Sequence, residues 1–116
     1  MGQPIVHVEI MGKDSAKLQN FYKQLFDWKI SDPHPDMGNY AVFDKETAGV
    51  GGGIGEDPDG KSRVTVYVSV PDLQKTLDHA VKMGGKIVME PMEIPNVVTM
   101  AQFSDPNGNV IGLVKS

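Results

Sequence analysis

Apolar and polar residues alternate strictly in two stretches of the chain, and each stretch leads into a helix-like pattern. Val6, Val8 and Ile10 alternate with His7 and Glu9, so Pro4 to Ile10 reads as a half-buried strand. Asp14 then caps a helix from about Ser15 to Phe26. Its Leu18, Phe21, Tyr22, Leu25 and Phe26 recur at the three-and-four spacing of one buried stripe. Trp28 to Ile30 reads as a short strand, stopped by the run Asp32-Pro33-His34-Pro35. Asn39 to Phe43 and Val50 to Ile54 complete the first half, the last strand thinned by Gly51, Gly52 and Gly53.

The second stretch repeats the plan. Val64, Val66, Val68 and Val70 alternate with Thr65, Tyr67 and Ser69 in a strand from Arg63 to Val70. Asp72 opens a helix to about Met83, ended by Gly84-Gly85, with Leu73, Leu77, Ala80 and Met83 as its buried stripe. Lys86 to Met89, Val97 to Phe103 and Val110 to Val114 are the closing strands, the last two joined across Asp105-Pro106-Asn107-Gly108. Val6 matches Val64, Asp14 matches Asp72 and Lys17 matches Lys75 at one offset. Ala41 and Phe43 match Ala101 and Phe103 at an offset two residues longer. The order of elements and these matches together point to an internal duplication. The fold class expected is α+β: two tandem βαβββ modules, about 1–58 and 59–116 of a single domain, forming a curved, U-shaped mixed sheet with helices on its outer face.

Composition narrows the partners. The 116 residues suffice for one domain with a core, at 40% hydrophobic and 22% charged. A net charge of -4 with no Lys/Arg cluster argues against nucleic acid. No apolar run reaches membrane-spanning length, and no secretory pattern opens the chain, so the cytoplasm is expected and membrane is not a partner. With no cysteine, disulfides, thiolate metal sites and cysteine nucleophiles drop out. The run from Gly49 to Gly55 lacks the following helix and lysine of a phosphate loop, and reads better as a strand admitting close approach.

If the valines of the opening strands face the helices, His7 and Glu9 in one half and Thr65, Tyr67 and Ser69 in the other share the opposite face. That face either meets bulk solvent or lines a hollow for a small molecule. His7 is a candidate general base or ligand-orienting donor, or an imidazole hydrogen-bonded to Glu9 or Tyr67. Tyr67 offers a ring face with a polar tip. Trp28 is assigned to packing between helix and sheet. His34 and His79 are assigned to the surface. Met89, Met92 and Met100 suit a pliable lining or fill core gaps.

The opening IVHVEIMGKDSAKLQNFYKQLFDWKI, the later YVSVPDLQKTLDHAVKMGGKIV and the closing FSDPNGNVIGLV resemble the vicinal oxygen chelate superfamily of glyoxalase I, extradiol dioxygenases and bleomycin-resistance proteins. The resemblance implies an active site in the concavity and, in the metal enzymes, up to four ligands from the first and last strands of each module. Carried over, those positions fall on His7, Gly52, Thr65 and Gly112. Glycine cannot coordinate and a neutral threonine hydroxyl is a poor ligand, so no metal cofactor is expected. A rearranged divalent site on His7 and Glu9 is the alternative. The implied function is a metal-free small-molecule binding protein, acting as a homodimer, with the cavity lined by His7, Glu9, Thr65, Tyr67, Ser69, Gly52 and Gly112. Two alternatives stand beside it: a glyoxalase-like lyase, isomerase or dioxygenase with His7 catalytic, and an antibiotic-sequestering resistance protein. The absence of Arg or Lys from the expected inner faces counts against the enzyme.

Overall fold

A computed structural model describes residues 2–94 and 98–116. The elements run β1 (Ile5–Gly12), α1 (Ser15–Phe26), a 3-10 turn (Pro35–Met37), β2 (Ala41–Phe43), α2 (Lys45–Ala48), β3 (Gly51–Glu56), β4 (Arg63–Val70), α3 (Leu73–Lys82), β5 (Lys86–Ile94), β6 (Val98–Ser104) and β7 (Val110–Lys115). They divide into two compact units, Val6–Val64 and Met1–Ile5 with Thr65–Ser116. Each unit carries a mixed sheet backed by a helix, so the α+β class stands.

In the first unit the strand order is β2-β3-β1. β1 and β3 are parallel, the chain between them passing through α1, β2 and α2, while β2 runs antiparallel to β3. Asp14 caps α1 by accepting from the Lys17 N–H at 3.1 Å, which satisfies one of the helix's orphan donors. Gln19 sets the helix's rotation, because its side-chain amide donates to the carbonyls of Asn39 (2.9 Å) and Ile54 (3.0 Å). Ala41, Phe43 and Ile54 form the buried centre. Trp28 stacks on Phe43 at 4.7 Å and on Tyr22 at 5.8 Å, the packing role expected for it.

Three expectations for this half are corrected. The stripe of α1 is only partly covered: Phe21, Leu25 and Phe26 are 55%, 58% and 52% exposed. With Gln19 pinned, the sheet reaches one edge of that stripe and leaves the other open. Trp28 to Ile30 forms no strand. Its Lys29 N–H goes to the Thr47 hydroxyl at 2.8 Å rather than to a strand, and pairing with β2 begins only beyond it, with Ser31 N–H to Val42 O at 2.9 Å. The short helix α2 went unforeseen, although Asp44 caps it by accepting from Glu46 and Thr47 N–H.

The second unit has the order β4-β7-β6-β5. β4 and β7 are parallel, and β7, β6 and β5 follow as antiparallel neighbours. Asp72 accepts from Lys75 N–H and starts α3. Val70, Leu73, Leu77, Ala101 and Leu113 are buried together, with Val68, Ile87 and Phe103 packed against them. The expected stripe therefore holds for Leu73 and Leu77, while Ala80 is half-buried and Met83 caps the helix at 68% exposed. Val64 is 65% exposed and does not join the helix-facing valines. β5 continues past Met89 to Ile94, accommodating Pro91 at a register irregularity, as an edge strand allows. The expected start of β6 at Val97 lies outside the described residues.

Leu77 is fully buried at the centre of this cluster. Leu77→Ala should lower unfolding free energy by about 2–5 kcal/mol, read as a urea midpoint shift at unchanged slope.

Candidate functional site

Strand register decides which side chains share a face. In the first unit His7 lies opposite Gly51, Glu9 opposite Gly53 and Met11 opposite Gly55. Paired residues point the same way from a sheet, so His7 and Glu9 project over a floor of glycines. Tyr40 fills that floor: a Cβ on Gly53 or Gly55 would overlap its ring. Its hydroxyl reaches His7 Nε2 at 2.8 Å and donates to Glu9 Oε2 at 3.2 Å. An ionised glutamate can only accept, so the hydroxyl proton goes to Glu9 and the imidazole meets the same oxygen as an Nε2–H donor. The imidazole and phenol planes are nearly parallel, 12° apart.

Arg63 closes the cluster. Its Nε donates to Asp57 Oδ1 at 2.9 Å, and its Nη1 approaches Glu9 Oε1 at 3.4 Å. Asp57 also accepts from the N–H groups of Asp59 and Lys61, both at 3.0 Å. The Arg63 hydrogen bond, then that of Lys61, pulls the Asp57 carboxyl below the usual carboxylate range. Burial pushes the His7 imidazole below its ordinary 6.5, against the opposing pull of Glu9's charge. His7 is therefore neutral at pH 7.

In the second unit Tyr67 lies opposite Gly112, which lies opposite Gln102. Here too a Cβ on the glycine would overlap the tyrosine ring. Gln102 Nε2 donates to the Tyr67 hydroxyl at 3.0 Å. Thr65 and Tyr67 are each 2% exposed. Ser69 is half-buried, its backbone N–H bonded to Pro4 O at 2.9 Å.

The structure thus joins His7 and Glu9 to each other through Tyr40, a residue the sequence reading left out. The partner of His7 in that reading was Glu9 or Tyr67. Alternation puts Tyr40, which precedes Ala41, on the face of Val42 away from the core, but carries no sign of its partners. The same rule places Gln102 between the buried Ala101 and the half-buried Phe103. Gly52 is misplaced on the His7 face: it lies opposite Val8 and Phe43, and a Cβ there would meet Phe43's ring. Gly53 takes its place. The expectation that no Arg or Lys joins these faces is also corrected, because Arg63 Nη1 reaches Glu9 Oε1 at 3.4 Å. His34 and His79 are exposed as expected; the His34 N–H bonds Tyr40 O at 2.9 Å.

A groove of about 560 Å³ at the start of α1, lined by Lys13, Asp14, Ser15, Gln19, Asn39 and Glu56 among others, shares no residue with the His7 cluster. One lysine against two carboxylates gives it no coherent charge. Among the described residues no three His, Cys, Asp or Glu side chains stand together to hold a metal ion. No helix among them is long and apolar enough to cross a membrane.

The model of the Glyoxalase/Bleomycin resistance protein/Dioxygenase superfamily matches residues 4–113. The putative glyoxylase CFP32 of Mycobacterium tuberculosis is 35% identical over 78 residues, covering 66% of this chain and 30% of that protein. The chain thus spans less than a third of that relative's length. Among solved structures, hypothetical protein BH1468 from Bacillus halodurans C-125 aligns with a TM-score of 0.75 at 12% identity, over 100% of this chain and 96% of that one. A variant of the methylmalonyl-CoA epimerase of Streptomyces coelicolor, in complex with 2-nitronate-propionyl-CoA, aligns with a TM-score of 0.70 at 14% identity, over 98% of this chain and 97% of that one. At such identities the two structures speak for the fold alone.

A folded-state pKa below the unfolded value of 6.5 gives His7 a stabilising contribution present above pH 6.5 and lost as pH falls through the folded pKa. The His7 Cε1–H resonance should titrate with a midpoint below 6.5 in NMR spectra. A midpoint above it would mean that Glu9's charge outweighs burial.

Proposed function

The chain belongs to the Glyoxalase/Bleomycin resistance protein/Dioxygenase superfamily, and from that premise we propose that it binds a small organic molecule without a chelated metal. The observation that carries the reading is the bond from His7 Nε2 to the Tyr40 hydroxyl. Of the positions carried over for metal ligation, His7 alone has a strong donor, and that donor is engaged by a phenol which also engages Glu9. A divalent ion needs about three protein ligands, and the residues present do not fit one. They do fit hydrogen bonding to organic oxygen: a phenol, a neutral imidazole and a carboxylate on one sheet face, with Arg63 anchored beside them.

The Streptomyces coelicolor epimerase structure, alike in fold, holds 2-nitronate-propionyl-CoA, which fits a small-molecule role for the fold. The ligand proposed here is aromatic or amphipathic and lies on the His7–Tyr40–Glu9 face of the first unit. Sequestration or transport in the cytoplasm is the corresponding role.

A second reading, turnover with His7 as general base, is favoured by one observation: burial keeps the imidazole neutral and so able to accept a proton. A homodimer belongs to both readings. The exposed Phe21, Leu25 and Phe26 give a second copy apolar surface to cover.

A panel of aromatic amphipaths screened by thermal shift and calorimetry tests the main reading. Saturable binding should persist unchanged in EDTA, and Tyr40→Phe should weaken it about tenfold, some 1.4 kcal/mol. Binding abolished by EDTA would overturn it. Turnover of any bound compound that survives in His7→Ala would remove the second reading. Light scattering should find a dimer, whereas a single 12.6 kDa species would contradict one.

A further inference from the structure

We propose that each unit has given the metal-ligand position of its last strand to a tyrosine ring: Tyr40 over Gly53 and Tyr67 over Gly112. The inference rests on the metal-independent reading and explains how the sheet came to exclude the ion.

Register makes the two glycines the same position in the two modules. Glu9 stands five residues before the cap Asp14 and lies opposite Gly53; Tyr67 stands five before the cap Asp72 and lies opposite Gly112. Both modules place glycine there, and neither backbone demands it, because neither residue has a positive φ. What demands it is the ring. A Cβ at either position would overlap the tyrosine, so a ligating side chain and the ring exclude each other.

The two rings come from different places. Tyr40 precedes β2, whereas Tyr67 sits on β4 itself. Simple duplication copies a residue to its equivalent position, and Glu9, the equivalent of Tyr67, is no tyrosine. The modules therefore reach one packing solution by two routes. In each, the hydroxyl is tied to side chains: Tyr40 to His7 and Glu9, Tyr67 to Gln102. At Gly53 the Tyr40 hydroxyl end, and at Gly112 the Tyr67 ring edge, fills the space a ligating side chain would enter, and each belongs to a phenol. The matching ligand offers a single hydroxyl or carbonyl oxygen to such a group, rather than two adjacent oxygens to an ion.

Cobalt(II) titration, followed by visible absorption and by metal content after gel filtration, tests this on the whole chain. Wild type and Gly53→Glu should bind none. Tyr40→Ala combined with Gly53→Glu removes the ring and restores a carboxylate beside His7 and Glu9. That double variant should take up about one cobalt per chain, with an absorption band that His7→Ala abolishes. Cobalt bound by wild type would overturn both the metal-independent reading and this inference. Cobalt bound equally by Gly53→Glu with Tyr40 in place would overturn the inference alone, as would a folded double variant that binds none.

If the double variant does not fold, melting temperatures decide. Gly53→Ala should lower the midpoint in wild type by several degrees and have little effect in a Tyr40→Ala background. Equal losses in the two backgrounds would overturn the inference.

Discussion

The steric exclusion between the Tyr40 ring and any side chain at Gly53 is the constraint on which the first unit's chemistry depends. Because the ring occupies that volume, its hydroxyl arrives between His7 and Glu9, at 2.8 and 3.2 Å. Because the hydroxyl is there, the two side chains best able to coordinate an ion are joined to each other through a phenol. Burial then holds the imidazole neutral, and Arg63, clamped by Asp57, balances the glutamate's charge. Each step follows from a side chain that position 53 does not have.

The scaffold that makes this possible is ordinary. Capped helices fix where β1 and β4 end relative to α1 and α3, so residues five and seven positions before each cap occupy matching places in the two modules. Parallel pairing of β1 with β3, and of β4 with β7, brings the last strand of each module beside its first. The second unit rests on a buried aliphatic cluster around Leu77, while the first leans on the aromatic stack from Tyr22 through Trp28 to Phe43.

Much of the fold was legible along the chain, because alternation and capping are local signals. The Arg63–Val70 strand and both helix starts follow from them directly. The covered edge of α1 was not legible, since periodicity marks an apolar stripe without saying how wide a surface the sheet offers it. Trp28 to Ile30 failed as a strand because the Lys29 N–H is taken by the Thr47 hydroxyl, 18 residues away, instead of a ladder partner. At the site, His7 and Glu9 were visible as the polar side of a strand, but the partner joining them was not. Tyr40 comes from an element 31 residues from Glu9, and only register brings it there. Gly52 stood in for Gly53 because the offset between the modules is not constant. Arg63 was overlooked as the first residue of its strand, although the alternation that picks out Thr65 and Tyr67 includes it.

The central claim is that an organic hydrogen-bonding centre takes the place of a metal beside His7. Its most direct test is anomalous diffraction from crystals of protein never exposed to chelator, soaked in cobalt(II). The account predicts no anomalous peak within bonding distance of His7 and an intact contact between its Nε2 and the Tyr40 hydroxyl. A peak bonded to His7, with the Tyr40 ring moved off Gly53, would contradict it.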